Sequence, residues 1–147
     1  MPCFIKCEES PFARSVQEVN VVAFADSIDT DTWQANFGGY LANFSGSDRP
    51  ALYLRFLDEA GTLLDSTQEF ASLSSNWTLV DEFHHLPAQT RLIEFVLTGT
   101  RNAGTDNDSY FDDLFLRLGS TTSACSEYIT RNSSIYNPVK TLQVAPN

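Results

Sequence analysis

Residues 99–113 read GTRNAGTDNDSYFDD, gathering Asn102, Asp106, Asn107, Asp108, Asp112 and Asp113 just ahead of the apolar run Leu114-Phe115-Leu116. Side-chain oxygens at that density suit three chemistries: a calcium site, a sugar-binding rim, or a tight turn. Calcium collects six to eight oxygens from carboxylates and backbone carbonyls. Asp106, Asp108, Asp112 and Asp113 bring the charge, although their spacing is not that of an EF-hand loop. On a regular strand Asp112 and Asp113 face opposite ways. One of the two can then point toward the core side, where an unpaired carboxylate is costly, and Asp113 is the candidate calcium ligand. A calcium ion, or an arginine such as Arg91 or Arg101, would remove that cost. The competing reading is that Gly104–Ser109 forms a solvated hairpin turn, which Asn and Asp favour.

Nucleophilic catalysis finds little support. Both histidines lie in the dipeptide His84-His85, no G-x-S-x-G, P-loop or H-E-x-x-H occurs, and a zinc site lacks a fourth convergent ligand. A two-carboxylate glycosidase is compatible with 19 acidic residues, but a sandwich of this length without a cleft insertion is small for it. The expectation is a protein that is not an enzyme.

The formal charge of −10 repels phosphate backbones and disfavours nucleic acid. No apolar run approaches the roughly 20 residues needed to cross a bilayer, so membrane insertion is not expected. Four Asn-x-Ser/Thr sequons, at Asn43, Asn76, Asn107 and Asn132, suit a secreted glycoprotein. No signal peptide is visible in MPCFIKCEES, and the expectation is a portion of a longer chain that is extracellular or at the cell surface. Of three cysteines, Cys125 could bridge to Cys3 or Cys7 and tie the chain ends, leaving one thiol for an intermolecular bond; three reduced cysteines are the alternative.

The elements that must position these residues alternate with period two. Segments 17–24, 32–44, 51–57, 62–70, 77–83, 91–99 and 110–118 read as strands. Val19, Val21 and Ala23 share one face, as do Trp33, Ala35, Phe37, Gly39 and Leu41, and Leu52, Leu54 and Phe56. Gly38-Gly39 invites a bulge or a close approach. Seven such strands separated by turn residues predict an all-β fold, a jelly-roll-like antiparallel β-sandwich. It divides into an N-terminal segment 1–15, a sandwich 16–118 and an extended C-terminal arm 119–147. The arm either drapes over the sandwich or adds a strand to a neighbouring copy.

FLDEAGTLLDS (56–66), Trp77 and LPAQTRLIEFVLTGTRNAGTDNDSYFDDLFLRL (86–118) together resemble the galactose-binding-domain-like, carbohydrate-binding-module-like β-sandwich repeats of secreted and surface proteins. The resemblance covers residues 16–118. It implies a non-catalytic extracellular module for carbohydrate binding or adhesion, whose partner is a glycan. It also implies a structural calcium held by Asp113 and Asp112 with Glu8 or Glu9. Sugars stack their C–H faces on exposed rings, and alternation leaves Tyr40 and Tyr53 pointing away from the core sets. With Asp106, Asn107 and Asp108 they form the candidate rim; Trp33 reads as core and Trp77 as half-buried. A second reading is a structural subunit of an extracellular glycoprotein fibre or sheath. It would bind neighbouring copies of itself through the C-terminal arm and strand edges.

Overall fold

The computed structural model describes residues 10–121 in full, and residues 3–4, 128–130 and 143–145 as backbone. Eleven strands are present in that portion: β1 (Cys3–Phe4), β2 (Phe12–Asn20), β3 (Trp33–Asn43), β4 (Arg49–Leu57), β5 (Leu63–Ser66), β6 (Phe70–Ala71), β7 (Thr78–His85), β8 (Leu92–Thr100), β9 (Ser109–Ser120), β10 (Tyr128–Thr130) and β11 (Gln143–Ala145). They build an antiparallel β-sandwich. The front sheet runs β1-β9-β3-β7, and the back sheet runs β2-β8-β4-β5, with β6 also on β4. Strands β10 and β11 pair with each other. Glu8, Cys7, Cys125 and Asn132 lie outside the described residues, as does the Cys3 side chain.

Period-two alternation creates the core. Phe37 and Leu41 of β3 and Phe111, Leu116 and Leu118 of β9 meet Leu52, Leu54 and Phe56 of β4 and Ile93 and Leu97 of β8, all essentially removed from solvent. Each such side chain contributes about 1.5–3 kcal/mol by its burial. Phe37 reaches across the layers to Phe95, edge-to-face with centroids 6.5 Å apart, which locks the two sheets in register.

Three expectations need correction. The segment 17–24 does not stay extended, because the Asn20 side chain accepts the Val22 N–H at 3.0 Å. The chain turns there into a short 3-10 turn and α1 (Ala25–Ile28). Asn competes for backbone groups in this way, and the turn wins over the apolar alternation. Second, segment 62–70 is two strands. Thr67 accepts the Leu54 N–H on its side-chain oxygen while its own N–H reaches the Leu54 carbonyl, so the strand is interrupted at that residue. Third, the strand expected over 17–24 begins pairing at Phe12, and the one expected over 110–118 runs from Ser109 to Ser120.

The Gly38-Gly39 signal marks a close approach. A Cβ on Gly38 would sit 1.8 Å from the Val80 carbonyl oxygen, and one on Gly39 would sit 2.7 Å from a Leu114 methyl. Opposite them β9 bulges: Gly38 pairs with Phe115 and Tyr40 with Asp112, so Gly39 faces both Asp113 and Leu114. Asp113 takes the bulge with φ of 47°, a left-handed conformation that Asp tolerates better than most residues.

Candidate functional site

That bulge overturns the expectation for Asp113. It stands exposed at the front-sheet surface rather than toward the core, so no burial cost calls for a cation there. Asp112 is half-buried beside Tyr40 on the same outer face and accepts the Asp113 N–H at 2.9 Å. Arg91 grips Asp29 bidentately, at 3.0 and 2.6 Å, and Arg101 donates to the Thr105 carbonyl at 2.6 Å. Among the described residues, no group of three or more His, Cys, Asp or Glu side chains is placed to hold a metal ion. They do not by themselves form a calcium donor set.

The oxygen-rich stretch is instead wired as turns around one residue the sequence did not flag. Asp48 is 4% exposed. Its carboxylate accepts the backbone N–H groups of Asn102 at 2.8 Å, Ala103 at 3.3 Å and Asp108 at 2.8 Å. Hydrogen bonds to the ionised form satisfy a buried carboxylate. Asn43 and Asn107, at 2% and 1% exposure, complete the network. Asn43 donates to the Asp48 carbonyl at 2.7 Å and accepts from Gly46 N–H. Asn107 donates to the Gly99 carbonyl and accepts from the Ser109 hydroxyl, both at 2.9 Å. Both amides are buried and hydrogen-bonded through nitrogen and oxygen, so neither presents its sequon to solvent, and Asn107 does not belong to a rim. Asn76 is exposed.

Nor do the remaining rim candidates converge. Tyr40 lies on the outer face of the front sheet and Tyr53 on that of the back sheet, between core-facing Leu52 and Leu54. Asp106 and Asp108 are half-buried in the loop before β9. Asp108 accepts the Tyr110 hydroxyl at 3.1 Å; burial first, and then this bond, pushes the Tyr110 hydroxyl above its ordinary pKa. The two histidines face opposite sides of β7 as alternation requires. His84 stacks on Phe56 with centroids 5.3 Å apart and bonds Asp65 at 2.9 Å, while His85 bonds Asp31 at 2.9 Å.

What the fold does assemble is a depression of about 290 Å³ on the outer face of the front sheet, lined from β3 by Gln34 and Asn36, from β7 by Asp81 and Phe83, and from β9 by Arg117 and its successors. In one cross-strand row Phe83 pairs with Asn36 and Asn36 with Arg117; in the next Asp81 pairs with Gly38 and Gly38 with Phe115. Asn36 is 9% exposed and organises the floor. Its amide donates to the Asp81 carboxylate at 2.7 Å and to the Glu82 carbonyl at 3.2 Å, and its oxygen accepts from Arg117 at 3.2 Å. The Arg117 guanidinium also lies 4.5 Å above the Phe115 ring, which fixes its plane. Phe83 is 62% exposed on this face, and Tyr40 and Leu79 continue it along the strands. Alternation found Tyr40 but missed Asn36, Asp81, Phe83 and Arg117. A usable signal existed in DEFHH (81–85), where Phe83 falls on the polar side of a strand whose core side carries Val80.

No family model and no curated protein sequence matches the chain. Solved structures do resemble it. The enzymatically active domain of tailspike protein 4 from bacteriophage CBA120 superposes with a TM-score of 0.52 at 16% identity, over 71% of this chain and 13% of that one. That likeness shows the β-sandwich fold. TmCBM61, solved in complex with β-1,4-galactotriose, gives a TM-score of 0.40 at 17% identity, covering 74% of this chain and 89% of that one. The CBM22-1 and GH10 modules of a Clostridium thermocellum endo-1,4-β-D-xylanase, complexed with xylohexaose, give 0.40 at 12%, covering 79% and 28%. The chain thus spans a small part of the tailspike and of the xylanase.

Proposed function

We propose that the chain is a non-catalytic carbohydrate-binding module whose glycan lies on the outer face of the front sheet. The observation that carries this reading is Phe83, a ring 62% exposed on the outer face of the front sheet, directly beside the Asn36–Asp81–Arg117 cluster. A flat apolar ring next to fixed donors and acceptors matches a pyranose, which has a C–H face and an equator of hydroxyls. Among the described lining residues Asp81 brings a single carboxylate to the depression, where glycoside hydrolysis uses a pair, which supports binding over hydrolysis. The exposed Asn76 sequon suits a module working outside the cell or on its surface, where binding would serve recognition or adhesion. A structural calcium ion held in part by the Glu8 carboxylate belongs to the same proposal, and the chelator arm of the experiment tests it.

The test is a glycan array probed with the full chain, in calcium and in chelator, alongside Phe83→Ala. Binding of the native chain to at least one glycan, weakened about tenfold or more by Phe83→Ala with an unchanged melting temperature, is the expected result. An array that stays blank under both conditions, or binding indifferent to Phe83, overturns the proposal.

A further inference from the structure

The chemistry of the Asn36 cluster narrows the class of glycan, an inference that rests on the carbohydrate reading above. Asn36 has no amide hydrogen left to offer a ligand. Its oxygen takes Arg117, and its two amide hydrogens go to Asp81 and the Glu82 carbonyl. Its effect is to draw the Arg117 guanidinium from β9 and the Asp81 carboxylate from β7, the strands on either side of β3, toward the two ends of one amide. Arg117 keeps further N–H groups, and Asp81 keeps the oxygen that does not meet Asn36; both side chains line the depression. A guanidinium only donates and a carboxylate only accepts. Placed together, they complement two neighbouring hydroxyls, one accepting from Arg117 while the other donates to Asp81, each through a charge-assisted bond.

Strand spacing sets the scale. Neighbouring strands lie about 4.8 Å apart, so Phe83 on β7 and Arg117 on β9, both paired with Asn36 of β3, flank a width of roughly 10 Å. One sugar ring fits between them, and the bare backbone at Gly38 leaves the next row open toward Asp81 and Phe115. The two charges of the cluster cancel, and the chain as a whole carries −10. A carboxylated or sulfated sugar would meet Asp81 and that overall field with no surplus cation to offset them.

We infer that the site takes an uncharged pyranose chain whose internal residues keep two adjacent free hydroxyls. Linkage decides this. A 1,4-linked chain leaves the hydroxyls at carbons 2 and 3 free on every internal ring, whereas a 1,3-linked chain blocks the middle of that run and separates the remaining pair. Gluco-, manno- and xylo-configured 1,4-linked chains all satisfy the requirement.

The experiment titrates the full chain calorimetrically with cellohexaose, mannohexaose, xylohexaose, laminarihexaose and hexagalacturonic acid. At least one of the first three binds, and the 1,3-linked laminarihexaose and the charged hexagalacturonic acid bind at least about tenfold more weakly than it does. Asp81→Asn and Arg117→Lys, both folded by circular dichroism, each weaken the tightest ligand by about tenfold or more. Laminarihexaose or hexagalacturonic acid binding as tightly as the best neutral 1,4-linked chain overturns the inference while leaving a carbohydrate-binding module in place. So does tight binding that neither variant changes. If none of the five binds and the glycan array is also blank, the carbohydrate reading itself falls.

Discussion

Arg117 on β9 donates to the Asn36 side-chain oxygen on β3 at 3.2 Å, and the same amide hands a 2.7 Å bond on to Asp81 of β7. One buried side chain thereby couples three strands of the front sheet. Replacing Asn36 with Ala removes all three of its bonds. It leaves the Glu82 carbonyl short of a donor and frees both charged side chains. The loss of stability is expected to be about 1–3 kcal/mol, read by urea unfolding, and glycan binding should fall with it. A variant as stable as the native chain would show that the amide holds nothing in place.

Asp48 makes a prediction at the other end of the sandwich. Its carboxylate accepts three backbone N–H groups of the 101–108 loop. Asp48→Asn keeps the shape but turns a donor toward those donors. We expect a cost of about 2–3 kcal/mol and faster proteolytic cleavage within 101–108, with the glycan site unaffected because the depression lies on other residues. Unchanged unfolding and unchanged cleavage would refute the wiring described for that loop.

Gly38 is irreplaceable for a steric reason. With Val80 oxygen 1.8 Å from the position of a new Cβ, Gly38→Ala must push β7 off β3. The expected penalty is about 3 kcal/mol, with loss of the Phe83 platform that β7 carries. Gly61→Ala is the comparison: nothing lies within 4 Å, though φ is +81°, so its cost comes from backbone strain alone, about 1–2 kcal/mol.

Acid sensitivity follows from two carboxylates. The Arg91 hydrogen bond, then the Gln89 N–H, hold Asp29 below its ordinary value of 3.8, and the His84 hydrogen bond chiefly lowers Asp65. A depressed native pKa contributes stability above the unfolded value and loses it as the pH falls through the native value. Melting temperature should therefore drop as the pH goes below 3.8. In Asp29→Asn that drop should be shallower, from a lower neutral starting point. Parallel acid limbs in variant and native chain would refute the assignment.

The alternation of apolar residues was enough to reveal a sandwich, the core faces of β3 and β4, and the close approach at Gly38-Gly39, because burial on one side of a pleated strand imposes period two on the sequence. It could not reveal the bulge that turns Asp113 outward, since an extra residue on one strand shows only against its partner's register. Nor could it reveal that Asn43, Asp48 and Asn107 are buried: Asn and Asp suit solvated turns equally well, and only the meeting of two loops far apart in sequence takes them from water. The site shares that character. Asn36, Asp81 and Arg117 come from three separate strands and become neighbours through antiparallel pairing. The sequence by itself determined which side of β3 and of β4 faces the core, a local consequence of side-chain hydrophobicity. The tertiary structure decided which outward residues stand together, because that depends on pairing registers that no single segment contains.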